Sequence, residues 1–422
     1  MAATGHDTAV ANPRSGRPQL ASLLTSRMPS VWLRKGHVQP VWAGHPWVFA
    51  QAVDHLEGAP APGDAVTVRD PKGQPLGRGF WSPKSAIVVR VLSRDPVDPL
   101  DANFFRKKLE CARDWRKELL GLPGEATDGY RLCHAEGDGL PGLVVDMHGD
   151  TAIVQLSTLG LKLREDLIFA EVMRVTGASS VIEARSGSQK LEGFEVEPRV
   201  VRGAERTETV FRERGMQLSV PVELTQKTGY YFDQRENRAL VERMARGRRV
   251  LDAFCYLGGF GLAAARGGAE SVLSLDSSAP ALANAAALAL KNGQADRIRY
   301  QCEDTRSALP ELARRHELFD LVVLDPPKLA PSGRHLDAGR RAYRRVNANA
   351  LRLVEPGGLL FTCSCSGVMR VEDWLRTLAM AARDADRELT LLGVYGAGED
   401  HPVPAAFPEG RYLKCALARV QA

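Results

Sequence analysis

The chain has 422 residues, 44% of them hydrophobic and 25% charged, with a formal net charge of +5. This composition predicts a globular protein too long for one ordinary core, hence two or three domains, and a cytoplasmic one, since no apolar run approaches the roughly 18 to 20 residues that span a bilayer and the N-terminus lacks a signal-like core. Seven scattered cysteines without a CxxC pair argue against a secreted disulfide framework and a structural zinc site, and the mild positive charge helps the chain meet a polyanion without identifying one.

Residues 1–30 mix Ala, Ser, Thr, Gly and Pro without periodicity and are expected to form a disordered tail. Over 31–105, β-rich pieces alternate with Gly/Pro turns, the spacing of a small β-barrel. Its edges carry Lys35, His37, Arg69, Lys72, Arg78, Lys84 and Arg90, with Trp42, Trp47 and Trp81 interleaved. Such a surface suits phosphate contacts and base stacking, although tryptophans in the core and solvated basic residues explain the same pattern. Residues 101–120 have amphipathic helical character and act as a connector. The remainder of 106–210 reads as a small α+β unit, with strands near 142–146, 151–156 and 180–184 and a helix near 163–175.

In the last domain, 211–422, strands are predicted near 249–252, 271–276, 298–301, 319–325, 358–364, 389–395 and 412–420. Helices near 260–266, 279–292, 305–315, 340–353 and 371–384 fill the gaps. This alternation predicts a mainly parallel sheet covered on both faces, with the ligand beyond the strand C-termini.

Three runs in this domain carry chemistry, and together they suggest methyl transfer from S-adenosylmethionine. The first is Val250 to Phe260, an apolar strand that passes through Asp252 into a turn with Phe254, Tyr256, Gly258 and Gly259. Glycines there let the backbone approach a ligand, while the absence of GxGxxG spacing counts against a dinucleotide. Asp276 ends the next strand, where a carboxylate can accept ribose hydroxyls, and Asp304 after the third could reach an adenine edge. Each acid alone is more readily a helix cap or turn residue than a ligand; three at successive strand ends are harder to dismiss.

The second run is Asp325-Pro326-Pro327-Lys328, in which two prolines fix the backbone beside an acid. Lys328 supplies no stacking face for an exocyclic amine, which tilts the target from nitrogen toward carbon. Methylating carbon 5 of a pyrimidine requires a thiolate to add at carbon 6, and the third run, Thr362 to Ser366, supplies Cys363 and Cys365. Two residues apart, they share a face if the strand continues through them. Cys365 is the expected nucleophile and Cys363 the second choice, against the alternative of two buried small hydrophobes. Arg341, Arg344 and Arg345 would share a helix face beside this site and could hold phosphates; a solvated charged face is the bland alternative. The polar and aromatic segment 226–238, with Gln234, could form a lid over cofactor and base, or be a capped helix start with core aromatics.

With these residues in view, the chain resembles the class I methyltransferases that make 5-methylcytosine in bacterial large-subunit ribosomal RNA, the subgroup with an N-terminal PUA domain. The likeness covers nearly everything after residue 30, and its distinctive pieces include Gly36 to Phe49, Ala135 to Gly142, Lys227 to Arg235, Asp252 to Phe260, Asp325 to Lys328 and Thr362 to Ser366. It implies an α/β protein: a PUA-type β-barrel, a small α+β linker domain, then a Rossmann-like catalytic domain. It further implies RNA, not DNA or membrane, as partner, with the oligomeric state open. Asp252, Asp276, Asp304 and Asp325 would be the cofactor and motif acids and Cys365 the nucleophile. Methylation of a guanine N2 or adenine N6 amine, or a catalytically silent RNA-binding ribosome-assembly role, are the competing readings.

Overall fold

The computed structural model describes residues 28–225 and 228–421. The tail expected over 1–30 lies outside the described residues up to 27, as do Gln226 and Lys227 of the polar segment. The chain divides into two compact units between Phe104 and Phe105.

The first unit contains β1 (Ser30–Leu33), α1 (Val38–Ala43), β2 (Trp47–Phe49), β3 (Val53–Glu57), β4 (Ala65–Arg69), β5 (Pro75–Trp81) and β6 (Ile87–Ser93). They form a six-stranded sheet in the order β2-β6-β5-β4-β1-β3, antiparallel except where β1 lies beside β4. Alternate residues Val31 and Leu33, Val66 and Val68, Val89 and Val91 fill its core, the two-residue period of strands with one buried face. Two residues expected on a nucleic-acid surface are packed instead. Trp81 is in the core, and Arg78 is buried with its guanidinium donating to Asp98 O. Arg69 is tied to Ser30 Oγ and Gly73 O, whereas Trp42 stays largely exposed.

The second unit carries α2 (Ala102–Leu120), in whose first turn the division falls. A five-stranded sheet follows in the order β11-β10-β9-β8-β7, built from β7 (Gly129–His134), β8 (Leu143–His148), β9 (Thr151–Leu156), β10 (Ser180–Glu183) and β11 (Arg199–Gly203). α3 (Leu159–Lys162), α4 (Glu165–Thr176) and α5 (Gln189–Glu192) lie between its strands in sequence, and a hairpin, β12 (Glu208–Glu213) with β13 (Met216–Pro221), comes after it. The sequence does not announce β7, because its Arg131 and His134 look solvent-facing; here they are partly buried in a polar cluster.

The largest sheet is made of β14 (Arg249–Ala253), β15 (Ser271–Asp276), β16 (Ile298–Cys302), β17 (Phe319–Leu324), β18 (Val354–Ser364), β19 (Glu388–Tyr395) and β20 (Lys414–Gln421), in the order β16-β15-β14-β17-β18-β20-β19. Only β20 runs against its neighbours. The helices that accompany it are α6 (Arg235–Met244), α7 (Gly259–Arg266), α8 (Ala279–Lys291), α9 (Thr305–Arg314), α10 (Leu336–Leu351) and α11 (Val371–Asp384). Leu321, Val322, Val323 and Leu324 are all fully buried, as expected of a parallel strand covered on both faces. Strand order reverses between β14 and β17, so a crevice forms beyond their carboxyl ends.

The stretch between β19 and β20 is fastened to the central sheet by buried charges. Asp400 accepts from Arg131 N, Arg235 Nη1 and His401 Nδ1, each at 2.9 Å. Arg116 donates to both oxygens of Asp138 and to Asp400 O, all at 2.8 Å. Burial by itself would raise the Asp400 carboxyl, yet His401 and Arg235 hold it well below the usual carboxylate range. Among the described residues, no helix is long and apolar enough to cross a membrane.

Candidate active site

A cavity of about 620 Å³ opens at the carboxyl ends of β14, β15 and β17. Seven of the sequence candidates line it: Gln234, Phe254, Tyr256, Asp276, Asp304, Asp325 and Cys365. Three do not.

Asp252 lies beneath the turn, 1% exposed, where its Oδ2 accepts from Gly261 N at 2.8 Å and its Oδ1 has no hydrogen-bond partner among the described residues. Gly258 adopts φ +71° as the cap of α7, and Gly259 takes its place in the cavity wall. A Cβ on Gly259 would come within 2.9 Å of Tyr230 Oη, so a side chain there would collide with the wall. Cys363 is fully buried in the core opposite Cys415, and burial first, with Cys415 next, pushes its thiol well above the ordinary range. The condition under which the two thiols would share a face, a strand continuing through both, is not met, because β18 ends at Ser364. Cys363 stays inside the sheet, and Cys365 begins the loop that borders the cavity.

The turn after β14 is held in an uncommon conformation. Phe254 and Tyr256 take φ +64° and +50°, a region that costs a side-chain-bearing residue roughly 1–2 kcal/mol. Tyr256 N donates to Asp276 Oδ2 at 2.9 Å and Tyr256 Oη to Leu224 O at 2.9 Å, which offsets that strain. Ser278 N donates to the other oxygen of Asp276 at 2.9 Å. Asp304 caps α9 through Arg306 N and also pairs with the Arg306 guanidinium, so its carboxyl is lowered.

Asp325 follows β17, and its backbone N donates to Ala253 O at 3.3 Å. Its Oδ2 accepts from Gln234 Nε2 at 3.1 Å, while Asn237 Nδ2 donates to Gln234 Oε1 at 2.6 Å. The amide is therefore oriented by its neighbour before it reaches the acid. Arg238 is bound bidentately to Glu213 at 2.6 Å and lies over the Tyr230 ring, fixing α6 to the hairpin. Tyr230 and Phe232 are core residues, and Tyr231 remains exposed, edge-on to Tyr256. The 228–238 segment is thus a helix start with core aromatics that also borders the cavity.

Several lining residues carry no local sequence signal: Arg131 and Gln155 from the central sheet, and Tyr412; Asp233 lies in the polar segment singled out above. Close by, Lys414 Nζ donates to Ser366 O at 2.7 Å and Tyr412 O at 2.9 Å. Burial lowers the Lys414 ammonium to about 8, against an opposing pull from Cys365. The arginine face expected on α10 is partly spoken for, since Arg344 pairs with Asp384 at 2.5 Å and Arg340 with Asp373 at 2.9 Å; Arg341 and Arg345 are exposed.

Residues 31–94 match the PUA-like domain family and residues 201–390 the S-adenosylmethionine-dependent methyltransferase family. Two solved structures share the fold: a Streptococcus mutans protein assigned as an S-adenosylmethionine-dependent methyltransferase (TM-score 0.80, 19% identity, 92% of this chain and 99% of that one) and SMU.776 in complex with SAH (TM-score 0.81, 20% identity, with the same coverage). Ribosomal RNA large subunit methyltransferase I of Aeromonas hydrophila is 37% identical over 93% of this chain and 99% of its own length. The Shewanella denitrificans protein of the same name is 38% identical over 92% and 98%. With a PUA-like domain, a Rossmann-like sheet and likeness along nearly its whole length, this S-adenosylmethionine-dependent enzyme belongs to the ribosomal RNA large subunit methyltransferase I family.

Proposed function

We propose that the protein methylates carbon 5 of a cytosine in large-subunit ribosomal RNA through a covalent bond to Cys365. The observation that carries this reading is a cysteine at the cavity wall after β18, beside an acid that follows the adjacent strand β17. The relatives' names supply the RNA class.

The cavity fits the cofactor. Asp276, with both oxygens anchored by backbone N–H groups, would take the ribose hydroxyls, Asp304 would meet the adenine edge, and Phe254 and Tyr256 would offer apolar surface. The bare Gly259 wall admits close approach, and the carboxylates around the cavity favour a cation. When bound, S-adenosylmethionine supplies an electrophilic methyl group on a sulfonium sulfur.

The Cys365 thiolate forms a bond to carbon 6 of an unstacked cytosine, which moves an electron pair toward carbon 5. Lys414, when charged, favours that thiolate. Asp325, steadied by Gln234 and entering protonated, gives its proton to ring nitrogen 3 as the ring gains electron density, which leaves it a carboxylate; ring nitrogen 3 returns that proton to solvent when the methylated base is released. Once carbon 5 carries the methyl group, Asp325 takes the carbon 5 proton, the electron pair re-forms the 5,6 double bond, and the Cys365 thiolate leaves. Cys363 has no part in this, being sealed in the sheet.

RNA containing 5-fluorocytidine tests the scheme, because fluorine at carbon 5 blocks the final elimination. The expected outcome is a denaturation-resistant RNA–protein adduct with the wild type and none with Cys365→Ala, alongside 5-methylcytidine from unmodified RNA by mass spectrometry. A methylated purine, or full turnover by Cys365→Ala, would overturn the covalent mechanism.

A further inference from the structure

Asp233 has no task in this mechanism, yet its placement is specific. It sits in the 3-10 turn Phe232–Gln234, 9% exposed, and lines the cavity. Its backbone is pinned, since Gly398 N donates to Asp233 O at 3.0 Å. The two carboxylate oxygens differ: Oδ2 accepts from Tyr412 Oη at 2.6 Å, whereas Oδ1 has no hydrogen-bond partner among the described residues. The Tyr412 hydroxyl is pushed well above its ordinary range by burial and then by Asp233 itself, so it remains a donor. Arg131 and Arg238 are close enough to feel the Asp233 charge, but the hydrogen bonds of Arg131 go to Asp146 and His134 and those of Arg238 to Glu213 and Tyr231 O. The carboxylate is therefore balanced in charge and short of one donor.

A buried acceptor left without a donor is destabilising, the more so when charged, and such groups are rare unless something else completes them. A flipped base is well suited to do so. Next in sequence, Gln234 holds Asp325, the acid assigned to ring nitrogen 3. In cytosine the atom adjoining that edge is the exocyclic amine, a donor; in uracil it is the carbonyl oxygen, an acceptor. A carboxylate oxygen attracts the first and repels the second.

We propose that Asp233 Oδ1 accepts a hydrogen bond from the exocyclic amine of the target base, which makes Asp233 a residue that selects cytosine over uracil. This rests on the cytosine-5 reading. Tyr412 supports it by occupying Oδ2 and leaving Oδ1 as the acceptor without a donor among the described residues.

The test uses the full chain and two RNAs that differ only at the nucleotide the wild type methylates, mapped by mass spectrometry: cytidine in one, uridine in the other. In Asp233→Asn the Tyr412 hydroxyl retains the amide oxygen, so the amide NH2 replaces Oδ1 and an acceptor becomes a donor. The expected result is a fall in kcat/KM on the cytidine RNA of about 10- to 100-fold, with measurable 5-methyluridine from an RNA on which the wild type is silent. S-adenosylhomocysteine binding stays within about twofold, which verifies folding. Unchanged activity on cytidine with continued silence on uridine would overturn the proposal. Should Asp233→Asn fail to fold, Tyr412→Phe keeps the carboxylate but frees its rotation; a narrowed cytidine-to-uridine ratio supports the proposal and an unaltered ratio refutes it. A wild-type product other than 5-methylcytidine defeats the reaction reading itself, an outcome visible before any variant is made.

Discussion

Asp252 lies 1% exposed under the cavity floor, and burial pushes its carboxyl up to about 7, opposed by the Gly261 N–H and reinforced by the charges of Asp325 and Asp276. Because the folded value exceeds the unfolded one, the native state binds this proton more tightly. The stability it contributes is complete below about pH 4 and lost as pH rises through about 7. In thermal denaturation without cofactor, Asp252→Asn should therefore flatten the decline across that window and exceed the wild type at pH 8 by on the order of 2 kcal/mol. The letters Asp252, Asp276, Asp304 and Asp325 are legible in the sequence because each follows or ends an apolar run. Which of them faces the ligand is not, since burial turns on where each strand stops. The same limit governs Cys363 and Cys365: period-two alternation makes them equivalent until the end of β18 at Ser364 separates them.

At the level of elements, α6, the central sheet and the stretch before β20 are joined through Asp400, which receives donors from Arg131, Arg235 and His401. Truncating one partner of such a buried cluster leaves uncompensated charge, at a cost of about 3–5 kcal/mol. Asp400→Ala should lower the unfolding free energy by that amount, read as a lower denaturant midpoint with little change in slope, and loosen the Asp233 wall, whose backbone is held by Gly398. The sequence lets the large sheet be read nearly strand by strand, because buried parallel strands are continuous apolar runs. The Asp400 cluster escapes such reading: Arg116 and Asp400 are 284 residues apart, and nothing local in either segment signals the other. Arg78 illustrates the converse, a basic residue that looks solvated and is buried against Asp98 O.

For the whole molecule, every residue lining the cavity falls between Arg131 and Leu413, all within the second compact unit. Cofactor binding and RNA affinity should therefore be separable. A chain beginning at Asp101 is expected to bind S-adenosylhomocysteine within about twofold of the full chain by calorimetry. Its affinity for large-subunit ribosomal RNA should fall and its salt dependence become shallower, as phosphate contacts are lost with the PUA-like unit.

The placement of β20 between β18 and β19 also bears on when activity arises. Residues 414–421 pair on both sides, and Cys415 lies opposite Cys363. A nascent chain that has not yet emerged through Gln421 leaves the β18 edge open and lacks Tyr412 and Lys414 in place beside the cavity. The cavity wall is therefore complete only once the last strand of the sheet has been made and paired.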